Sequence, residues 1–296
     1  MNKKSLNRVE DRISFLYIDY ARIEQTDYTV QVIRGDRLVE IPIATVACLC
    51  IGPGTSITHG ALRICSECGC SVIWVGEGVQ YLYCMADAGT HSGKNTLIQA
   101  KYYSDNELHM NIVRKMYLMR YPTENIENKS LNSLRGMEGR RVKKLYENLS
   151  TKYSIPWNGR EYDVNDFDAQ DDINKCITWC NQFLYAIVKS VVLYLGYSPT
   201  IGFIHTGHID AFVFDIADLY KEEISIPCAF ETCSLSQFDL YRKCRIGMHS
   251  YVSDKKLMSR IAKDIKILFD GDKSSVPESI VLWDVDNYLE HGKNYG

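Results

Sequence analysis

The sequence predicts an α+β protein, a small N-terminal β-rich domain followed by a larger all-α C-terminal domain. Two observations carry this. Up to Cys84 the chain is a series of short runs rich in β-branched, aromatic and other apolar residues, separated by turn residues. From Asn95 onward, apolar residues recur at three- and four-residue spacing, the period of a helix with one buried face. Between them Asp87-Ala88-Gly89-Thr90-His91-Ser92-Gly93 is small, polar and without periodic apolar residues, as a linker is. The expected division is residues 1–86 as the β-rich domain, 87–94 as linker, 95–271 as the helical domain and 272–296 as a tail.

In chain order, strands are expected at Ile13–Tyr20, Tyr28–Ile33, Leu38–Ile41, Val46–Ile51, Ser71–Val75 and Val79–Tyr83. Arg34-Gly35-Asp36 is a hairpin turn and Gly52-Pro53-Gly54 a second break. Ile57–Glu67 is the one helix expected among these strands. The helical part reads as Asn95–Tyr121, Lys129–Tyr153, Asp172–Leu195 and Lys255–Leu268. Asp171 and Asp172 open the third, where carboxylates suit free amides, and Gly196 follows its end. An acidic segment between Arg160 and Asp172 reads as a solvated loop, and Ile280–Trp283 as a tail segment able to dock as a strand.

Composition narrows the function classes. An apolar fraction of 46% and a charged fraction of 24% are those of an ordinary globular protein. The formal net charge of -3 means that any nucleic-acid partner must meet positive charge concentrated on one face. The uncharged stretch Cys176–Val188 is shorter than the ~18 residues of a membrane span. Met1 to Arg12 is polar and charged, and the eleven cysteines are odd in number and scattered, so a reducing cytoplasm is the expected compartment.

The densest chemistry lies in Gly202-Phe203-Ile204-His205-Thr206-Gly207-His208 and the following Phe212-Val213-Phe214-Asp215-Ile216-Ala217-Asp218. Asp215 and Asp218 are three residues apart and share a face if helical. The apolar run Ala211–Phe214 reads as a strand, which would seat both at a strand-to-helix junction. An imidazole with carboxylates suits a hard divalent ion such as Mg²⁺ or Mn²⁺. The alternative is plain helix capping by the two aspartates. A third carboxylate, Glu138, sits in Leu134-Arg135-Gly136-Met137-Glu138-Gly139-Arg140-Arg141. Its two flanking glycines cost a helix about 1 kcal/mol each relative to alanine, which points to close approach by a backbone or a ligand. A solvated basic helix is the alternative there.

These motifs together resemble the CRISPR-associated spacer-acquisition integrases, with type I-E members the most similar. The resemblance rests on the ordered series Leu-Arg-Gly-x-Glu-Gly, Trp157-Asn158-Gly159-Arg160-x-Tyr162, Gly-Phe-x-His-Thr-Gly and Asp-Ile-Ala-Asp. Asp11-Arg12-Ile13-Ser14, Val46-Ala47-Cys48, Gly54-Thr55 and Trp74-Val75-Gly76-Glu77 extend it into the N-terminal half. It implies a β-rich domain that dimerises and a helical domain holding the active site. Glu138, His205 and Asp218 match the family's metal ligands, and Asp215 matches a nearby carboxylate needed for activity.

The implied activity is that of a divalent-metal-dependent DNA endonuclease and integrase. A 3′-hydroxyl of prespacer DNA attacks a phosphodiester of the CRISPR array. Two homodimers flank a dimer of a second, small CRISPR-associated protein. Tyr20 matches an aromatic that caps the prespacer duplex and splays its strands, a stack worth about 1–3 kcal/mol per base; an ordinary strand aromatic is the alternative. Arg63, Lys221 and Arg245 match basic residues near DNA, each equally readable as a surface charge. Arg135 and Arg140, beside Glu138, are further candidates for gripping phosphates. Gln80 and His208 stand where relatives carry an arginine and a lysine, so contacts with the DNA end are expected to differ. A catalytically dead DNA-binding scaffold and an unrelated hydrolase with paired carboxylates remain as other classes; the intact Glu138, His205, Asp215 and Asp218 argue against the first. Cys65-Ser66-Glu67-Cys68-Gly69-Cys70, with Cys84, offers four thiolates to zinc, but cysteines also pack as small apolar residues, and that is the expected role.

Overall fold

The structure, a computed structural model, describes residues 16–27, 29–76, 82–86, 93–126, 129–161, 167, 169–235, 238–269, 281–283 and 288–290. The segment Asp11–Ser14, Gln80, Tyr162, residues 87–92 of the expected linker and most of the tail lie outside these.

The N-terminal half folds into two four-stranded sheets. One has the order β1-β5-β7-β8, formed by β1 (Leu16–Ile18), β5 (Cys48–Ile51), β7 (Ser71–Val75) and β8 (Leu82–Ala86). The first three strands run parallel and β8 closes antiparallel on β7. The other has the order β4-β3-β2-β6, with β2 (Arg22–Gln25), β3 (Val30–Arg34), β4 (Arg37–Ile41) and β6 (Ser56–Ile57). Gly35, at φ 58°, turns the β3–β4 hairpin at the place the sequence predicts. Strands β2 and β6 were not expected. Both are short, and the two exposed positions of β2, Arg22 and Gln25, hide its one fully buried residue, Ile23. Helix α1 (His59–Glu67) starts where the Thr58 hydroxyl accepts from the Ala61 amide.

All four residues of β5 are buried, and alternation sends them to two different cores. Leu49 and Ile51 join Ile23, Val72 and Cys65 beneath the sheets. Cys48 and Cys50, with Ile73 and Val75 of β7, face the helices and belong to their core. The cysteines of this strand pack as small apolar residues. Cys65 and Cys70 are likewise buried in the N-terminal core. Among the described residues, no group of three or more metal-ligating side chains is arranged to hold an ion there or elsewhere.

The C-terminal half is helical: α2 (Lys94–Ser104), α3 (Asn106–Arg120), α4 (Leu131–Tyr153), α5 (Asp172–Tyr194), α6 (Ala211–Asp218), α7 (Ser225–Leu235), α8 (Leu240–Asp254) and α9 (Leu257–Leu268). The single helix expected over Asn95–Tyr121 is two. Asp105 leaves the helical conformation and its carboxylate accepts from the Glu107 and Leu108 amides, starting α3 afresh. The expected strand at Ala211–Phe214 is the first turn of α6. That segment is buried nearly all round, so it shows neither period. Helices α7 and α8 were not expected, although Leu240, Cys244, Met248 and Val252 form a buried stripe at four-residue spacing on α8. Helix α5 is capped by Asp171 and ends before Gly196 at φ 77°, as the sequence predicts.

By length and composition α5 could cross a membrane, but 67% of its most apolar window is buried inside the protein. It is the axis of the helical core, packed by α6, α7, α8 and α9. In the tail, β9 (Val281–Trp283) pairs antiparallel with β10 (Tyr288–Glu290) as a sheet of their own, not with either N-terminal sheet.

Candidate functional site

A cleft of about 770 Å³ opens between α3, α4, α5 and α6 and is lined by Glu138, His205 and Asp218 together. Each arrives by a different local rule. Glu138 lies on α4, whose start is set by the Ser130 hydroxyl accepting from Ser133. A side chain at Gly139 would meet nothing within 4 Å, and one at Gly136 only the tip of Arg140. Among the described residues no backbone from outside α4 lies within 4 Å of a Cβ placed at either glycine, and both sit on the exposed edge of α4 beside Glu138.

His205 sits on the turn between α5 and α6. Gly202 is required there, because a Cβ would lie 2.3 Å from the His205 carbonyl oxygen and 2.7 Å from Ala211. Asp215, at 1% exposure, holds the turn from below. Its carboxylate accepts from the amides of Phe203, Ile204 (3.1 Å) and His205 (2.8 Å), and from His205 Nδ1 (2.8 Å). Asp215 is therefore not a cap of its own helix, which begins at Ala211, four residues before it. It orders a loop. Because an ionised carboxylate can only accept, Nδ1 carries the proton and Nε2 is left with the lone pair, 3.9 Å from Asp218 Oδ2. The bond to Asp215 raises the His205 pKa; burial opposes this and Asp218 adds to it.

Two cations answer the carboxylates. Lys221 Nζ lies 2.6 Å from Asp218 Oδ1 and 4.9 Å above the Tyr185 ring. Burial is the largest single influence and works against its charge, but Asp218 and Tyr185 together hold its pKa above the usual value. Arg120, whose side chain is 4% exposed, donates to Glu138 Oε1 at 2.7 Å and to Glu222 Oε1 at 3.0 Å. Burial is again the largest influence and opposes the charge, but Glu138, Tyr121 and Asp218 together raise its pKa. The Tyr117 hydroxyl donates to the other oxygen of Glu138 at 2.8 Å, and that of Tyr121 to Glu222 at 2.5 Å. Burial first, then Glu138, pushes the Tyr117 pKa up.

Sequence reasoning missed Tyr117, Arg120, Tyr121 and Glu222. A weak signal existed: Tyr117, Arg120 and Tyr121 fall at i, i+3 and i+4, one face of α3.

Two carboxylates and an imidazole fit a hard divalent cation in kind, and the fixed His205 ring fits it in orientation. They do not form a closed cage as they stand, since among the described residues no three such donors are gathered tightly enough.

The other singled-out residues are distributed more widely. Arg135 does not point freely outward: it donates to the Ile204 carbonyl at 2.7 Å and ties α4 to the His205 turn. Arg140 is exposed on α4. His208 lines the cleft, accepts from the Asp210 amide at 3.0 Å and lies 4.8 Å from the Phe214 ring. Arg63 is exposed on α1 beside Glu67 at 3.1 Å, in a second cleft of about 470 Å³. Arg245 of α8 lies over the Tyr17 ring at 4.3 Å and 3.8 Å from Asp19. Tyr20 stands on the β1–β2 turn at φ 45°, 65% exposed. Gly54 beneath it admits no side chain, because a Cβ would sit 2.5 Å from the Tyr20 ring.

Known proteins are similar to this chain in sequence and in fold. The family described as CRISPR associated protein Cas1 matches residues 15–121 and 117–240. The CRISPR-associated endonuclease Cas1 2 of Thermus thermophilus is 35% identical over 304 residues, covering 100% of this chain and 94% of that protein. The CRISPR-associated endonuclease Cas1 of Clostridium sp. is 35% identical over 298 residues, covering 97% of each. The crystal structure of a TtCas1–DNA complex superposes with a TM-score of 0.84 at 35% identity, covering 94% of this chain and 99% of that one. On sequence and on fold alike, the chain belongs to the Cas1 family of CRISPR-associated endonucleases.

Proposed function

We propose that this protein is a divalent-metal-dependent DNA endonuclease and integrase that inserts prespacer DNA into a CRISPR array. The observation that carries the reading is the convergence on one cleft of Glu138 with His205 and Asp218, from two distant segments of the chain. The DNA-bound relative supports nucleic acid as the substrate.

In this reading Glu138, His205 Nε2 and Asp218 hold Mg²⁺ or Mn²⁺. When bound, such an ion lowers the pKa of the attacking hydroxyl and neutralises charge on the phosphate. Asp215 keeps the imidazole in the tautomer that presents Nε2, and Arg135 pins the turn that carries it. Arg120 and Lys221 offset the carboxylates while no ion or phosphate is present. The 3′-hydroxyl oxygen of the incoming strand bonds to phosphorus, the bridging P–O bond breaks, and the leaving 3′-oxygen takes up the proton. Water in place of that hydroxyl gives strand cleavage.

The proposal extends to organisation. Residues 1–86 serve as the dimerising part and 95–271 as the catalytic part, in a cytoplasmic assembly of type I-E character. A second, small CRISPR-associated protein bridges two dimers there. Tyr20, exposed on a turn held by its own backbone, is the wedge that meets the duplex end. Arg63 and Arg140 contact DNA backbone. Lys221 and Arg245 do so only by giving up Asp218 and Asp19.

Glu138→Ala, His205→Ala and Asp218→Ala are each expected to abolish joining of a labelled prespacer to a supercoiled target, while duplex binding persists. Near-normal joining by the Glu138 or His205 variant would sink this mechanism. Persistence in chelator would point instead to a metal-independent hydrolase. A wild-type chain that binds DNA yet neither cleaves nor joins it with either metal would be a scaffold.

A further inference from the structure

Glu222 is a carboxylate of the cleft to which the proposed chemistry gives no part. It shares a guanidinium with the proposed ligand Glu138: Arg120 donates through one terminal nitrogen to each. The guanidinium lies 5.9 Å and 5.1 Å from the ring centres of Tyr117 and Tyr121, while its Nε is buried without a partner among the described residues. Its placement is thus decided by two competing carboxylates. Removing Glu222 leaves Arg120 with Glu138 as its sole ion-pair partner among the described residues.

We propose that Glu222 is a positioning residue for the metal centre. By holding Arg120 it limits that group's grip on Glu138 and sets how readily a divalent ion takes Glu138 over. The inference rests on the reading of Glu138, His205 and Asp218 as ligands. Glu222 acts through Arg120 and does not itself touch the ion.

The test is Mn²⁺ affinity of the full chain without DNA, read from the electron paramagnetic resonance signal of free aqueous Mn²⁺. Thermal melting serves as the folding control. Glu222→Gln is expected to weaken binding about tenfold, the scale of one charge-assisted hydrogen bond. Glu222→Asp keeps the charge but withdraws it by one methylene, and should weaken binding similarly. In an Arg120→Gln background the Glu222→Gln change should cost less than about threefold, because the coupled partner is gone. Unchanged affinity in Glu222→Gln overturns the proposal. So does wild-type affinity in Glu222→Asp, which would assign the effect to bulk charge. Equal losses with and without Arg120 would make Glu222 a direct ligand and overturn it too. Wild-type chain binding Mn²⁺ no better than Glu138→Gln would instead remove the metal reading, and this role with it.

Discussion

The turn that carries Tyr20 and the turn that carries His205 solve the same problem with opposite means. Each presents one functional side chain from a connection between regular elements. The Tyr20 turn is held by backbone: its amide donates to the Pro53 carbonyl at 2.9 Å, and Gly54 makes room for the ring. Tyr20 is 65% exposed among the described residues, and in the proposed function its partner comes from outside. The His205 turn is held by a buried side chain, Asp215, which collects three amides and the imidazole. A charge that deep is tolerated only because its hydrogen bonds are all met inside. The first arrangement tolerates loss of its side chain; the second does not tolerate loss of its charge.

Replacing Asp215 by Asn tests that contrast most severely. One acceptor oxygen must then serve four donors, at roughly 1.5–3 kcal/mol for each charge-assisted bond lost. Strand transfer is expected to fall by about two orders of magnitude or more, with a melting temperature lower by several degrees. If Asp215 only capped a helix, both measurements would stay near wild type.

Acid comes next. A protonated His205 cannot bind a metal, and its pKa is raised by Asp215. The neutral ring is therefore lost as pH falls through a value above the ordinary histidine figure of about 6.5. A pH profile of Mn²⁺ affinity, which reports the metal-free protein, should begin to fall above that figure; a break near pH 4 would assign it to carboxylates.

Tyr20→Ala should weaken capture of splayed-end prespacers by roughly tenfold, in line with about 1–3 kcal/mol per stacked base. Cleavage of a small branched substrate should be nearly unchanged. Equal loss on every substrate would point to a disrupted β1–β2 turn. The smallest effect is expected at Arg63, whose exposed pair with Glu67 contributes about 0–1 kcal/mol. Arg63→Ala should leave melting unchanged and lower the salt dependence of DNA binding by about one phosphate contact. An unaltered salt slope would remove Arg63 from the DNA path.

How much of this was legible depended on the segment. The Gly35 hairpin, strand Ser71–Val75 and the cap of α5 follow from local chemistry and could be read directly. The break at Asp105 was readable in principle, since Ser104-Asp105 is a capping sequence, but unbroken apolar spacing across it suggested one helix. Ala211–Phe214 was misread because a segment buried on all sides carries no period. In α8 a buried cysteine, Cys244, stood where an aliphatic residue would have marked the stripe.

Sequence alone singled out Glu138, His205, Asp215 and Asp218, because they lie in short motifs whose chemistry is local. It also determined the order of a β-rich part before a helical part, because the change of hydrophobic period is local too. Only the tertiary structure decided what those side chains meet. Arg120 lies 18 residues before Glu138 and 102 before Glu222, yet the packing of α3 places its guanidinium between them. Asp215 and Asp218 share one helix, but one turns inward to the His205 loop and the other faces the cleft with Lys221. Such pairings arise where helices from distant parts of the chain close on one another, and burial then makes a bonded partner for each charge a condition of folding.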